Sequence, residues 1–93
     1  MLIDLREREE REKHGVIRGS LHAPYPDLQE NLRPDGIVHE LGTVAGKRLV
    51  FYCAYGERSA MAVQAAQDSG LPTSCHLQGG MNAWIKAGFP IAR

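Results

Sequence analysis

Cys53 stands out among the reactive side chains of this sequence because of the six residues that follow it. The stretch Cys53-Ala54-Tyr55-Gly56-Glu57-Arg58-Ser59 comes directly after the apolar run Arg48-Leu49-Val50-Phe51-Tyr52 and directly before a segment rich in Ala, Met, Val and Gln. The first reads as a strand, the last as a helix from Ser59 to Ser69 closed by Gly70. A loop set between a strand end and a helix start lets successive backbone N–H groups converge, and the helix terminus adds partial positive charge. That field favours a thiolate over a thiol, and the thiolate is the nucleophile. Gly56 allows a tight turn, and Arg58 brings a cation suited to an oxyanion. The residues together describe a nucleophilic Cys53 inside an anion-binding loop, Ala54 to Ser59.

The other candidates are weaker. Cys75 precedes Leu77 in a short strand and reads as an inert thiol away from the loop. Two cysteines are too few for a disulfide scaffold in a chain of this size, and no CxxC or HxxxH spacing accompanies them, so no metal site is expected. Free thiols of this kind suit a reducing, cytoplasmic setting. His14, His22, His39 and His76 are scattered without ligand spacing, and none reads as a catalytic base. Asp4 and Arg6 lie at the end of a strand, on the edge that carries Cys53. They read either as a helix cap and a surface charge or as a polar pair beside the site. Trp84 reads as core, its large ring filling space between a helix and the sheet.

The elements that must hold Cys53 alternate between strand and helix. Leu2-Ile3-Asp4 ends a short buried strand, and Arg6 to Lys13 is an unbroken charged run with Gly15 as its stop. Leu21-His22-Ala23 is a second strand, halted by Pro24. Leu28, Leu32, Ile37, Val38 and Leu41 form the buried stripe of one or two short helices, broken at Pro34-Asp35-Gly36. After the Cys53 loop and its helix, Thr73 to Leu77 is another strand, and Gly79-Gly80 opens a last helix from Met81 to Ala87. This alternation predicts an α/β domain in which a parallel sheet is flanked by helices, with ligands bound beyond the carboxyl ends of the strands.

Composition narrows the classes of function. The chain has 93 residues, of which 43% are hydrophobic and 24% charged, an ordinary globular balance for one domain over residues 1–93. Eleven basic residues offset eleven acidic ones, which argues against a nucleic-acid partner. No apolar run nears the roughly 20 residues of a membrane span, and Met-Leu-Ile-Asp-Leu-Arg-Glu turns charged too early for a signal peptide.

Leu2-Ile3-Asp4-Leu5-Arg6-Glu7, the Cys53–Ser59 loop, Gly79-Gly80-Met81-Asn82-Ala83-Trp84 and the tail Ala87-Gly88-Phe89-Pro90-Ile91 follow one another in the order of the rhodanese-like (sulfurtransferase) domains, which this sequence resembles across nearly its whole length. The resemblance implies a three-layer rhodanese-like fold and a Cys53 that carries sulfur as a persulfide. The amides of Ala54 to Ser59 and the Arg58 side chain would hold the anionic end of the donor. It also implies a small-molecule sulfur donor and a cyanide, thiol or protein acceptor, with no cofactor. Gly15-Val16-Ile17-Arg18-Gly19-Ser20 stands where the family has Gly-His-Ile-Pro-Gly-Ala. The chain begins at the Leu-Ile-Asp segment, so the resemblance implies a version without the family's first strand and helix, or a piece of something longer. Glu57 is the awkward member of the loop, since a carboxylate there repels thiosulfate unless it points to solvent. Four residues separate Cys53 from Arg58, where related phosphatases, by the same resemblance, carry five. Besides a sulfurtransferase, the sequence leaves open a non-catalytic binding or regulatory module and a cysteine phosphatase or arsenate reductase.

Overall fold

A computed structural model describes all residues, Met1 to Arg93. The elements run β1 (Leu2–Asp4), α1 (Arg8–His14), β2 (Leu21–His22), a 3-10 turn (Tyr25–Asp27), α2 (Leu28–Asn31), α3 (Ile37–Gly42), β3 (Val50–Tyr52), α4 (Glu57–Asp68), β4 (Cys75–His76) and α5 (Gly80–Lys86). The strands pair in parallel in the order β2-β1-β3-β4. From β1 the chain steps outward to β2, then crosses back to place β3 on the other side of β1. The crevice of an open sheet forms at such a reversal, beyond the carboxyl ends of the two central strands. Here those ends deliver Asp4 to Arg6 from β1 and Cys53 from β3.

Side-chain alternation along β1 and β3 assigns the two faces. Ile3, Leu5, Phe51 and Cys53 turn to one side and pack with Leu28, Leu32, Val38, Ala62, Ala66 and Leu71. Tyr52 turns to the other and packs with Ile17, Met81 and the half-buried Leu2, Leu77, Trp84 and Ile91. The small Ala62 and Ala66 let α4 lie close to β3. The expected α/β sandwich of helix, parallel sheet and helix is present. No helix is long and apolar enough to cross a membrane.

Several expectations need correction. The strands are shorter than the apolar runs suggest, because only residues in register with a neighbour form ladder bonds. The helix after the loop starts at Glu57 rather than Ser59, so Glu57, Arg58 and Ser59 form its first turn. Ile37 is exposed, since α3 has little more than one turn and faces the core through Val38. Trp84 is only half-buried. It leans on Phe89 and donates its indole N–H to the Pro90 carbonyl at 2.8 Å, pinning the tail. The departure at residues 15–20 is absorbed locally. Gly15 takes a positive φ of 81°, the Ile17 amide and the Ser20 hydroxyl meet the Tyr52 hydroxyl, and Val16 forms a bridge with Ala92.

Candidate active site

Two backbone contacts from α5 shape the Cys53 loop. The Met81 amide donates to the Cys53 carbonyl at 2.8 Å and the Asn82 amide to the Ala54 carbonyl at 3.0 Å. Because a trans peptide points its N–H opposite its C=O, tying these two carbonyls toward α5 turns the next two amides away from it. The approach needs Gly80: its φ is +59°, and a Cβ there would lie 2.4 Å from the Cys53 carbonyl oxygen. Gly56, at φ +116°, completes the turn and caps α4.

The sulfur sits in the resulting cup. Cys53 is 1% exposed, and its Sγ accepts the Gly56 N–H at 3.1 Å. The Ser59 hydroxyl lies 3.6 Å from Sγ and accepts from the thiol; its one proton is directed at the Gly56 carbonyl at 3.2 Å and turns to the sulfur only once the thiol ionises. Burial pushes the thiol up. The Ser59 amide and hydroxyl, with the amides of Gly56 and Tyr55, pull it down, and the net direction is down. The groups that lower it are hydrogen-bond donors to the sulfur.

Of the predicted loop residues, Ala54 gives its carbonyl to α5 and Tyr55 is exposed beside the mouth. Glu57 points to solvent, which removes the repulsion expected of it. Arg58 differs from expectation. It is no free cation: its two terminal nitrogens donate to both oxygens of Glu10 on α1, each at 2.9 Å. That pair holds the Glu10 carboxyl down at about 2 and raises the guanidinium further. Glu10 also accepts the Glu7 amide in a capping box at 2.8 Å.

Asp4 and Arg6 are neither a helix cap nor surface charges, being 0% and 1% exposed. Asp4 accepts the Arg6 amide, the Arg6 side chain through Nε and Nη2, Nη1 of Arg11, and the Tyr52 hydroxyl at 2.9 Å. Arg6 also donates to the Gly15 carbonyl and lies over the Tyr52 ring. Every polar atom of the carboxylate is thus engaged, as burial of a charge demands. Arg6 forms one wall of a cavity of about 300 Å³ whose other walls are Glu10, His14, Ala54, Tyr55, Met81, Asn82 and Ile85. Ala54 and Tyr55 are the two residues that follow Cys53 in the chain.

Two residues at the site escape prediction. Glu10 lies within a charged run with nothing to mark it from its neighbours. His76 sits in β4, and its Nδ1 is 2.9 Å from Ser59 Oγ, so it fixes the hydroxyl that touches the sulfur. Only the β3–β4 pairing, Phe51 opposite His76, brings it there. Cys75, one residue earlier, is half-buried and lies against the Leu49 carbonyl, away from the cup.

This architecture is shared with known proteins. A protein of unknown function from Rhodopseudomonas palustris, described as a possible tyrosine phosphatase, superposes with a TM-score of 0.87 at 38% identity, covering 98% of this chain and 69% of that one. The human single-domain sulfurtransferase TSTD1 superposes with a TM-score of 0.74 at 28% identity, covering 91% and 80%. The mouse thiosulfate sulfurtransferase/rhodanese-like domain-containing protein 3 is 31% identical over 90 residues, or 91% of this chain, which spans 57% of that protein's length. The family model of the rhodanese-like domain matches residues 1–87, and the chain belongs to the rhodanese-like domain family.

Proposed function

We propose that the protein is a sulfurtransferase in which Cys53 carries sulfane sulfur. The observation that carries this reading is the cup itself: an almost fully enclosed sulfur that accepts the Gly56 amide at 3.1 Å, with the Ser59 hydroxyl beside it. The thiolate attacks the outer sulfur of a donor such as thiosulfate. A sulfur–sulfur bond forms to Cys53, the donor's own sulfur–sulfur bond breaks, and its electron pair leaves with sulfite. The Cys53 persulfide then loses its terminal sulfur to cyanide, as thiocyanate, or to a small or protein thiol, as a new persulfide. Cys53 returns as thiolate. The loop amides face negative charge in both steps and need no rearrangement, the condition under which fixed dipoles lower a barrier.

A phosphatase reading draws support from the Rhodopseudomonas palustris neighbour, described as a possible tyrosine phosphatase. Against it stand the loop of four residues between Cys53 and Arg58 and the engagement of both Arg58 terminal nitrogens by Glu10. A phosphoryl group needs that fork free. The test is the intact mass of the protein after a sulfane donor. A gain of one sulfur, lost on adding cyanide, absent in Cys53→Ser and retained in Cys75→Ser, is the expected result, with no hydrolysis of p-nitrophenyl phosphate. Hydrolysis that disappears in Cys53→Ser would establish the phosphatase. A folded protein that gains no sulfur would instead be a binding module.

A further inference from the structure

Resting on the sulfurtransferase reading, we propose that Glu10 sets the donor charge this site accepts: it selects monoanionic or neutral organic donors, thiosulfonates and persulfides, over the dianion thiosulfate. Three arginines surround the site, and each is engaged by a carboxylate. Arg6 and Arg11 both donate to Asp4, at 3.0 and 3.2 Å. Arg58 donates to Glu10 through both terminal nitrogens at 2.9 Å. Glu10 cannot easily swing away, because the Glu7 amide holds the same carboxylate at 2.8 Å.

Three guanidiniums face two carboxylates, and the one on the Cys53 loop, Arg58, has both terminal nitrogens held by Glu10, so a donor at Cys53 meets that fork already occupied. The backbone amides are dipoles. They suit one developing anion and do not offset a second full charge. The cavity beside the loop repeats this preference in its shape. Arg6, Glu10, His14 and Asn82 form its polar side, and Ala54, Tyr55, Met81 and Ile85 supply an apolar one. An organic substituent fits the apolar side, a contact that thiosulfate cannot make.

Methanethiosulfonate and thiosulfate make a matched pair, since both offer a terminal sulfur and differ by one negative charge. With the thiosulfonate, the Cys53 thiolate takes that sulfur and the electron pair of the broken bond leaves with methanesulfinate, so no oxidant or reductant is required.

The experiment uses the full chain with cyanide as acceptor, reads thiocyanate, and subtracts the uncatalysed reaction. The wild-type kcat/KM for methanethiosulfonate should exceed that for thiosulfate by about tenfold or more, the effect of one added charge near the donor. In Glu10→Gln, which keeps the acceptor for the Glu7 amide and frees Arg58, that discrimination should shrink by about tenfold. A folded Glu10→Gln with discrimination within about twofold of wild type would overturn the proposal. So would a wild-type preference for thiosulfate, whatever the variant does. If neither donor places sulfur on Cys53, the sulfurtransferase reading itself fails, and the mass measurement separates that outcome from the others.

Discussion

Ser59→Ala removes one oxygen from the cup and leaves the backbone in place. Ser59 is fully buried, and its hydroxyl connects Cys53 Sγ at 3.6 Å to His76 Nδ1 at 2.9 Å. A hydrogen bond to a charged group contributes about 1.5–3 kcal/mol. The long sulfur contact and the remaining amides place this one just below that range, at about 1.4 kcal/mol, or tenfold less thiolate at a pH below the midpoint. The thiolate that does form is less stabilised and intrinsically more nucleophilic, by about threefold at a Brønsted coefficient near 0.45. The two effects predict crossing curves for alkylation by iodoacetamide in a Cys75→Ser background. At a pH below the midpoint Ser59→Ala should react about threefold more slowly than its parent, and on the alkaline plateau about threefold faster. The deep burial of Cys53 scales both curves together and cannot create a crossing. Two curves that stay parallel across the pH range would refute the claim that the hydroxyl stabilises the thiolate.

Other perturbations test the parts that hold the cup. Asp4→Asn leaves Arg6 buried without its counter-charge, a loss of about 3–5 kcal/mol, so the Tm should fall by at least about 12 °C; the double change with Arg6→Met should recover part of it in calorimetry. Gly80→Ala puts a Cβ 2.4 Å from the Cys53 carbonyl oxygen at a φ of +59°, and should cut the sulfur-transfer rate by at least about tenfold through displacement of the loop. Glu10 sits at about 2, below its ordinary 4.5, so the Arg58 pair stabilises the fold in full above about pH 5 and fades as the pH falls toward 2. The pair is open to solvent and contributes no more than about 1 kcal/mol; Glu10→Gln should flatten the acid limb of the unfolding profile between those limits.

Much of the fold is legible in the residues because the signals are local. Val50-Phe51-Tyr52 reads as a buried strand from its own side chains. Gly15, Gly70 and Gly88 mark the ends of α1, α4 and α5, and all three have positive φ. What stays hidden is decided by pairing. Ile37 looks like a core residue by type, but a helix as short as α3 can bury only one face, and Val38 holds it. Asp4 looks like a cap by type, and becomes a buried charge because the register sets it opposite Tyr52.

The site divides along the same line. Cys53, Gly56 and Ser59 lie within one turn, so their order in the chain already brings them together. Arg58 does not: its partner Glu10 is 48 residues away, inside a run of alternating charges where each carboxylate looks alike. His76 is likewise a histidine without a motif until β4 aligns with β3. The deeper reason is that the loop does not shape itself. Its carbonyls are held by α5, its arginine by α1 and its serine by β4, so the cup is a property of three elements closing on a fourth. A peptide spanning Cys53 to Ser59 contains the sulfur and its nearest donors, yet nothing in it would turn those amides toward the sulfur. The reactivity of Cys53 is therefore tied to cooperative folding, and substitutions at Gly80 or Asp4, which never touch the sulfur, are as informative about it as substitutions in the loop.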